Sequence, residues 1–330
     1  MFLNEPFHYM KLFQMNLLRI VVIISITGGQ LLAQDTRFTQ AYFTPLKLNP
    51  ALMGYNEDIK LILDNRTQWG SIAKGFCSFN TTVLYPLYIK SGKEKLDLGL
   101  NFLSDRAGAF KTTDVSLSVG YNLTIAENSN LSFALQTGFI QKSLSANDLS
   151  FDEQYVWGSY TATNPNGETV LNEKAKYADI GYGTMWYYNP SKSSGAKMNA
   201  FVGMSGFHLN TPNESFVENK NGNLPMKFAF QGGIKILGKE NIDFTPNIRV
   251  TTQKGNEEIA AGLCMDYSFP ENIKVILGLW YRNHDAFAVA LGIDSKYFSI
   301  GYSYDIVTDL NRYVSAANAH EITLSLKLNR

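Results

Sequence analysis

The chain has 330 residues, with 29 Lys and Arg against 29 Asp and Glu, so its formal net charge is zero. A nucleic-acid-binding protein needs an excess of basic side chains to meet phosphates, and this balance argues against one. Only 18% of residues are charged and 13% are aromatic, a composition that excludes a disordered chain. Two cysteines, Cys77 and Cys264, are too few for a disulfide scaffold or a zinc site.

Residues 1–33 have the pattern of a secretory signal peptide. Lys11 and Arg19 precede an apolar run at 20–26, and Ala33 stands before the expected cleavage point. The run is shorter than the roughly 20 apolar residues that a membrane-spanning helix needs, which disfavours a membrane anchor. We therefore expect export from the cytoplasm and removal of this segment. Translation begins at Met1, Met10 or Met15, and the sequence leaves these three starts open.

Residues 34–56 precede the first predicted strand and contain Pro45 and Pro50. This stretch is long for a simple tail, and we interpret it as an N-terminal periplasmic segment. The sequence leaves open whether it tucks under or into the mouth of the domain that follows, or contacts a periplasmic partner.

From residue 57 onward, apolar and polar side chains alternate with the period of two that is typical of β-strands. Many of these segments are about ten residues long, which suits a tilted strand that crosses a bilayer, whereas sandwich strands have about five or six. We therefore predict an all-β fold, a transmembrane antiparallel β-barrel of about 14 strands over residues 57–330. The candidate strands are 57–69, 76–85, 95–104, 112–124, 130–141, 176–188, 197–208, 226–237, 241–252, 257–268, 272–281, 286–294, 296–304 and 320–328.

The connections between these strands support an outer-membrane barrel over a soluble sandwich. The three long ones, 142–175, 209–225 and 305–319, all occupy odd-numbered positions in strand order. This predicts that they lie together at the external end, opposite short periplasmic turns. The last strand lacks the terminal aromatic residue that many outer-membrane barrels use in assembly, which leaves open whether it closes the barrel.

Aromatic residues recur near the ends of the predicted strands. Amphipathic rings favour the boundary between membrane and water, so this placement is typical of the two girdles of an outer-membrane barrel. The predicted girdle residues are Trp69, Tyr85, Tyr121, Trp186, Tyr187, Tyr188, Phe207, Tyr267, Trp280 and Tyr281.

Residues that carry catalytic or metal chemistry are sparse, and we expect no enzymatic activity, metal or cofactor. No metal-ligand spacing occurs among the four histidines, His8, His208, His284 and His320. Ser315 near His320 and Glu321 is the one enzyme hypothesis that the sequence leaves, a lipid-hydrolysing site on the barrel rim. Cys77 and Cys264 lie in strands that are too far apart around a barrel to pair, so two free thiols are expected.

Two groups of residues are candidates for function. On the first predicted strand, Asp64, Arg66 and Gln68 share one face, and Arg facing mid-bilayer lipid costs about 2–4 kcal/mol, so this face is predicted to line the lumen. Arg66 then pairs with a carboxylate such as Asp64, Asp97 or Glu321, either as a lumen-filling network or as a gate or docking surface.

The external loop 142–175 is the second candidate. It contains Tyr155, Trp157 and Tyr160, a high aromatic content for a loop that only meets solvent. We interpret these residues as a binding site for an external partner.

Short motifs along the chain resemble, in order, the PorP/SprF family of Bacteroidetes outer-membrane proteins, which belong to the type IX secretion and gliding motility systems. The resemblance covers nearly the whole chain after the signal peptide, with small departures at Thr39 and at Leu52-Met53. The motifs are Gln34-Asp35-x-x-Phe38-Thr39-Gln40, Asn49-Pro50-Ala51-x-x-Gly54, Arg66-x-Gln68-Trp69, Asp105-x-x-Gly108, Leu277-Gly278-x-x-Tyr281-Arg282, Asp285-Ala286, Gly301-Tyr302-Ser303-Tyr304-Asp305 and His320-Glu321-Ile322.

The resemblance implies a non-enzymatic barrel in the cell outer membrane that binds, helps export or anchors a cell-surface adhesin with a type B C-terminal domain. It also implies contacts with periplasmic components of the secretion system and with a peptidoglycan-linked lipoprotein. The alternative is an outer-membrane channel or transporter for small solutes. Carried over to this sequence, the fixed periplasmic segment contains Phe38, Gln40, Asn49, Pro50 and Gly54, and the polar network contains Arg66, Gln68, Arg282, Asp305 and Glu321, with Trp69 beside it.

Overall fold

The structure is a computed structural model that describes residues 35–69, 76–89, 94–145, 149, 154–156, 159–161, 174–190, 195, 197–216, 222–238, 241–270, 272–308 and 318–328. Residues from Thr36 onward form one compact unit. Within these ranges, none of the helices has the length and apolar character that crossing a membrane requires. The predicted signal peptide, 1–33, lies outside the described residues.

The unit is built on β-strands, fourteen of which close into an antiparallel barrel. Neighbouring strands in the barrel follow chain order, and the last strand pairs with the first to close it. The predicted fold class and all fourteen predicted strands are therefore confirmed. The barrel strands are β1 (Ile59–Gln68), β2 (Phe76–Ile89), β3 (Glu94–Ala107), β4 (Phe110–Ala126), β5 (Ser129–Leu144), β8 (Lys174–Tyr188), β9 (Met198–Phe207), β10 (Lys227–Leu237), β11 (Ile242–Gln253), β12 (Asn256–Ser268), β13 (Lys274–Arg282), β14 (Ala286–Asp294), β15 (Phe298–Val307) and β16 (Ala319–Leu328), while β6 (Tyr155–Val156) and β7 (Ser159–Tyr160) pair only with each other.

The two faces of the barrel wall differ in polarity as the alternation predicts. Along β4, Asp114 and Ser116 are buried toward the lumen, whereas Val115 and Leu117 are exposed on the outer surface. A closed barrel pairs every backbone N–H and C=O group inside lipid, and its outward apolar side chains meet the hydrocarbon.

The three longest connections are 145–173, 208–226 and 308–318. Antiparallel chain order places all three at the same end of the barrel, which confirms that they share one end. We call it the long-loop end and the opposite one the short-turn end. In outer-membrane barrels the long loops are external and the short turns periplasmic.

Residues 36–56 lie inside the barrel, and we call them the plug. The plug contains a short helix, α1 (Pro45–Leu48), and a 3₁₀ helix, η1 (Pro50–Tyr55). Leu46, Ala51 and Met53 are at most 1% exposed and pack against apolar lumen side chains of the wall, including Ile62 and Leu84. Of the positions that the sequence leaves open for residues 34–56, the described residues 36–56 take the one inside the barrel instead of forming a segment in the periplasm. The alternation predicts a polar lumen, but the wall carries an apolar patch at this height. Packing against that patch removes the apolar side chains of the plug from water.

Three of the predicted girdle residues face the lumen instead of the lipid. Tyr187 and Phe207 are each 5% exposed. The ring of Trp280 lies against Gly262 and Gly278, where a Cβ atom on either glycine would overlap the indole. These rings fill interior space beside the plug. The outer surface carries other members of the predicted girdles, Tyr121, Tyr267 and Tyr281. Both cysteines are free thiols, as predicted.

The lipid-facing surface can be tested by placing one charge at two depths. Leu135 is 70% exposed near the middle of β5, and Leu328 is 65% exposed at the end of β16. We expect Leu135→Arg to lower the free energy of unfolding by about 2–4 kcal/mol, since it places a cation at mid-bilayer, and Leu328→Arg to lower it by about 0–1 kcal/mol. Denaturant unfolding in lipid vesicles measures both. Equal losses would contradict the assigned depths.

Candidate functional site: the plugged lumen

Four charged side chains of the wall converge inside the lumen near the long-loop end. Arg66 Nη2 lies 2.8 Å from Asp305 Oδ2, and Arg66 Nη1 lies 3.2 Å from Glu321 Oε2. Arg282 Nη2 lies 2.8 Å from the same Asp305 oxygen. All four residues are at most 4% exposed. We call them the charge cluster, and its two cations and two carboxylates compensate one another where water does not reach.

The plug is attached to the charge cluster through its backbone as well as its side chains. The carboxylate of Glu321 accepts the backbone N–H groups of Thr39 and Gln40, both at 2.7 Å. The Thr39 hydroxyl donates to Asp305 at 2.6 Å and accepts from Arg66 at 2.8 Å and from Arg282 at 2.9 Å. Thr39 therefore lies at the centre of the cluster and contacts charged groups from four strands. We call this the long-loop anchor.

A second attachment holds the other end of the plug near the short-turn end. The carbonyl oxygen of Gly54 accepts from Lys95 Nζ at 2.9 Å, from Asn122 Nδ2 at 2.7 Å and from the Tyr187 hydroxyl at 2.6 Å. A Cβ atom at Gly54 would overlap the Ser132 side chain, so only glycine allows this close approach. We call this the short-turn anchor.

Asn49 fixes the turn between α1 and η1 in the middle of the plug. Its Oδ1 accepts the N–H of Ala51 at 2.9 Å, which caps η1. Its Nδ2 donates to the carbonyl oxygens of Thr184 at 3.1 Å and Met204 at 3.2 Å on the wall. Gly183 leaves the space that the Asn49 amide occupies. The plug thus contacts the wall at both ends and in between.

The structure brings most of the predicted site residues together. Arg66, Arg282, Asp305 and Glu321 form the charge cluster, and Gln68 Oε1 accepts from Arg66 at 3.4 Å. The other predicted residues of the N-terminal segment lie in the plug and are buried there: Phe38, Gln40, Asn49, Pro50 and Gly54.

Two of the carboxylates proposed for Arg66 have other partners. Asp64 accepts the hydroxyl of Thr323, and Asp97 lies 3.2 Å from Lys95 Nζ. Glu321 is the correct one of the three, and Asp305 is a further partner that the first-strand pattern alone did not single out. Both belong to strands at the far end of the sequence.

The remaining predicted residues lie outside this network. Trp69 packs edge-on against Phe76, with ring centroids 4.5 Å apart. Tyr155 is 55% exposed and its strand β6 pairs with β7, while Trp157 and the side chain of Tyr160 lie outside the described residues.

Two members of the rim trio considered for lipid hydrolysis lie on opposite faces of the barrel wall. His320 faces outward and contacts the Tyr302 hydroxyl at 2.7 Å, whereas the adjacent Glu321 faces the lumen, because successive strand residues point to opposite faces. Ser315 lies outside the described residues. In the ranges that the structure describes, no group of three or more His, Cys, Asp and Glu side chains is placed to hold a metal ion.

Three residues of the short-turn anchor were not predicted as site residues from the sequence. Lys95 and Asn122 occupy lumen-facing positions in the period of two, and this was the only signal available for them. Tyr187 was assigned to a girdle instead. For all three, the hydrogen-bond partner is the carbonyl group of a glycine more than 40 residues away, and the sequence does not indicate this pairing.

Residues 31–326 match the family described as type IX secretion system membrane protein PorP/SprF. The chain belongs to this family. This confirms the resemblance stated from the sequence motifs. A search of curated proteins gives no match.

Solved structures show the same fold. The toluene transporter TodX of Pseudomonas putida is 10% identical, with a TM-score of 0.53 over 91% of this chain and 96% of that one. The CymD monoaromatic hydrocarbon channel is also 10% identical, with a TM-score of 0.52 over 87% of this chain and 93% of that one. At this identity the similarity establishes the outer-membrane barrel fold alone.

The long-loop anchor can be tested through hydrogen exchange of the plug. Glu321→Ala removes the acceptor of two plug N–H groups and leaves Arg66 without one of its carboxylates, and breaking a buried ion pair costs about 3–5 kcal/mol. We expect residues 36–44 to exchange at least tenfold faster by mass spectrometry, with the amides of β4 and β5 unchanged. Glu321→Gln, which keeps one acceptor oxygen, should give a smaller effect. Unchanged exchange in the plug of a folded Glu321→Ala barrel would contradict the anchor.

The short-turn anchor has a matched pair of tyrosines. Tyr187→Phe removes one hydrogen bond to Gly54, worth about 1 kcal/mol, and should speed exchange across η1 roughly fivefold. The adjacent Tyr188 faces the outer surface, so Tyr188→Phe should leave η1 exchange unchanged. A similar acceleration in both variants would mean that the Tyr187 hydroxyl does not hold the plug.

Proposed function

We propose that this protein is a closed outer-membrane barrel of the type IX secretion system that holds, and helps to export, a cell-surface adhesin with a type B C-terminal domain. The adhesin is bound at the long-loop end. Periplasmic components of the secretion system and a peptidoglycan-linked lipoprotein meet the short-turn end. Family membership supports the secretion role, and the plugged lumen is the observation that carries the mode of action.

The plug bears on function because it extends along the lumen from one end to the other. Thr39 is bound among residues near the long-loop ends of β1, β13, β15 and β16, and Gly54 among residues near the short-turn ends of β3, β4 and β8. A polypeptide that crossed through the lumen would have to displace both anchors and the apolar packing of Leu46 and Met53. This supports an adhesin held at the barrel end over one that passes through its interior.

Exposed apolar side chains at the long-loop end support it as the partner site. Tyr155 and Val156 in the hairpin of connection 145–173 are 55% and 45% exposed. Phe110, at the start of β4, is 48% exposed, and its ring centroid lies 6.0 Å from that of Phe216 in connection 208–226. Exposed aromatic and aliphatic groups of this kind serve as anchors in protein interfaces.

The proposal can be tested by isolating the tagged protein from outer membranes in mild detergent and identifying what accompanies it by mass spectrometry. We expect a large surface protein with a C-terminal sorting domain in near-stoichiometric yield. Tyr155→Ser with Val156→Ser should lower that yield at least tenfold, because about 2 kcal/mol or more is typical of an interface anchor. The matched control is Tyr297→Ser with Ile273→Ser, which removes similar exposed groups at the short-turn end and should retain the adhesin.

The outcomes separate the anchor from the solute channel. A barrel that is isolated alone and conducts ions in planar bilayers would overturn the proposal in favour of the channel. Retention of the adhesin in both double variants would leave the anchoring role intact and exclude the β6–β7 hairpin as its site.

A further inference from the structure

The outward-facing cations of the barrel strands are confined to one part of its surface. Only four Lys or Arg residues of the fourteen barrel strands point away from the lumen, namely Arg106 on β3, Lys111 on β4, and Lys174 and Lys176 on β8. We call them the cationic strip. If these side chains only extended their charged ends from the membrane boundary into water, similar residues would be expected all around the barrel. Their confinement to four neighbouring strands indicates a further role.

The strand register shows that these side chains are neighbours. Arg106 is paired with Lys111, Lys111 with Ser143 of β5, and Ser143 with Lys174, so one row across four strands holds three of the cations. Adjacent strands are about 4.8 Å apart, which makes the row roughly 14 Å wide. Lys176 lies two residues further along β8, on the same face, about 7 Å nearer to the middle of the membrane.

The cationic strip lies at the edge of the band of apolar side chains that covers the outer face of the barrel. Phe102, Val115, Phe139 and Ile180 follow on the outer face of the same four strands toward the middle of the barrel, and they are 39–54% exposed. The strip is at the long-loop end, where the strands leave the hydrocarbon. It is therefore at the depth of the lipid headgroups in the outer leaflet.

The three lysines of the cationic strip have no carboxylate beside them on the outer face of the described strands. The outward positions of β3, β4, β5 and β8 in their long-loop halves carry no carboxylate. Among the described residues, none forms an ion pair with Lys111, Lys174 or Lys176. Like charges held this close repel one another, so a bound anion would stabilise the arrangement.

We propose that the cationic strip binds the phosphate groups of the glycolipid that forms the outer leaflet of the membrane. A disaccharide headgroup with two phosphates matches Lys111 and Lys174, which lie two strands or about 10 Å apart, with its acyl chains directed along the apolar side chains below them. Each lysine near an anionic membrane surface contributes about 1 kcal/mol, or roughly fivefold in affinity. The site would fix one wall of the barrel to the surface lipid.

The proposal is tested on the full-length detergent-purified protein by native mass spectrometry with bisphosphorylated lipid A as the probe. We expect bound lipid A, and at least tenfold weaker binding of the same lipid after its phosphates are removed. Lys111→Gln, Lys174→Gln and Lys176→Gln together should weaken binding of bisphosphorylated lipid A at least tenfold. The control triple variant, Lys197→Gln, Lys254→Gln and Lys296→Gln, removes three exposed lysines elsewhere and should bind as the wild type does.

Several results would overturn the assignment. Equal weakening in both triple variants would mean that net charge, and not the cationic strip, attracts the lipid. Unchanged binding in the strip variant, with the heat-modifiable gel mobility of a folded barrel, would exclude the site. Phosphatidylglycerol bound as tightly as lipid A at equal phosphate concentration would show that the strip does not select the outer-leaflet glycolipid.

Discussion

The interior of this barrel depends on the carboxylate of Glu321, which accepts two consecutive backbone N–H groups of the plug and pairs with Arg66. Arg66 and Glu321 are also direct register partners across β1 and β16, the two strands that close the barrel. The same contact therefore joins the first strand to the last and attaches the plug to that seam. Closure of the barrel and seating of the plug are two consequences of one arrangement of charges.

Burial makes this arrangement cooperative. Each charge in the cluster has lost most of its hydration, and the loss is offset only when all four side chains and Thr39 are in place. An open seam would separate Arg66 from Glu321, and an absent plug would leave the Glu321 carboxylate without its two N–H donors. Either change leaves a buried charge without its partner. The free energy lost by that unpaired charge is larger than the net stabilisation that the complete network contributes. The closed, plugged barrel is thus favoured over partly assembled forms.

The strands were predictable from the sequence because the lipid imposes a local rule. Every second residue must be apolar over about ten positions, and this rule is visible in a window of the chain such as Leu96–Phe102. The plug follows no such rule. Its partners lie 27 to 282 residues away, as with Arg66 and Glu321 for Thr39, and no window of sequence contains both sides of the contact. The sequence therefore left open whether this segment tucks into the barrel or contacts a periplasmic partner.

The aromatic residues show the same limit on a smaller scale. Tyr187 and Tyr188 are adjacent and both amphipathic, and composition gave each the same girdle assignment. Their alternation placed one inward, where its hydroxyl meets Gly54, and one outward. What Tyr187 meets on the inner face is the carbonyl oxygen of Gly54 in the plug, which lies 133 residues away in the sequence. Only the tertiary structure supplies that information.

The 3₁₀ helix of the plug, the predicted partner loop and the cationic strip lie on one wall of the barrel. The long-loop anchor of the plug is attached to other strands, β1, β13, β15 and β16. The 3₁₀ helix η1 packs against β2, β3, β4, β5, β8 and β9 from the inside. The cationic strip lies on the outer face of β3, β4 and β8, and connection 145–173, with its exposed hairpin, joins β5 to β8. The 3₁₀ helix supports this wall from within, and under the proposed function the long-loop end of the same wall holds the surface protein. Lipid phosphates bound to the cationic strip would attach its outer face to the membrane surface.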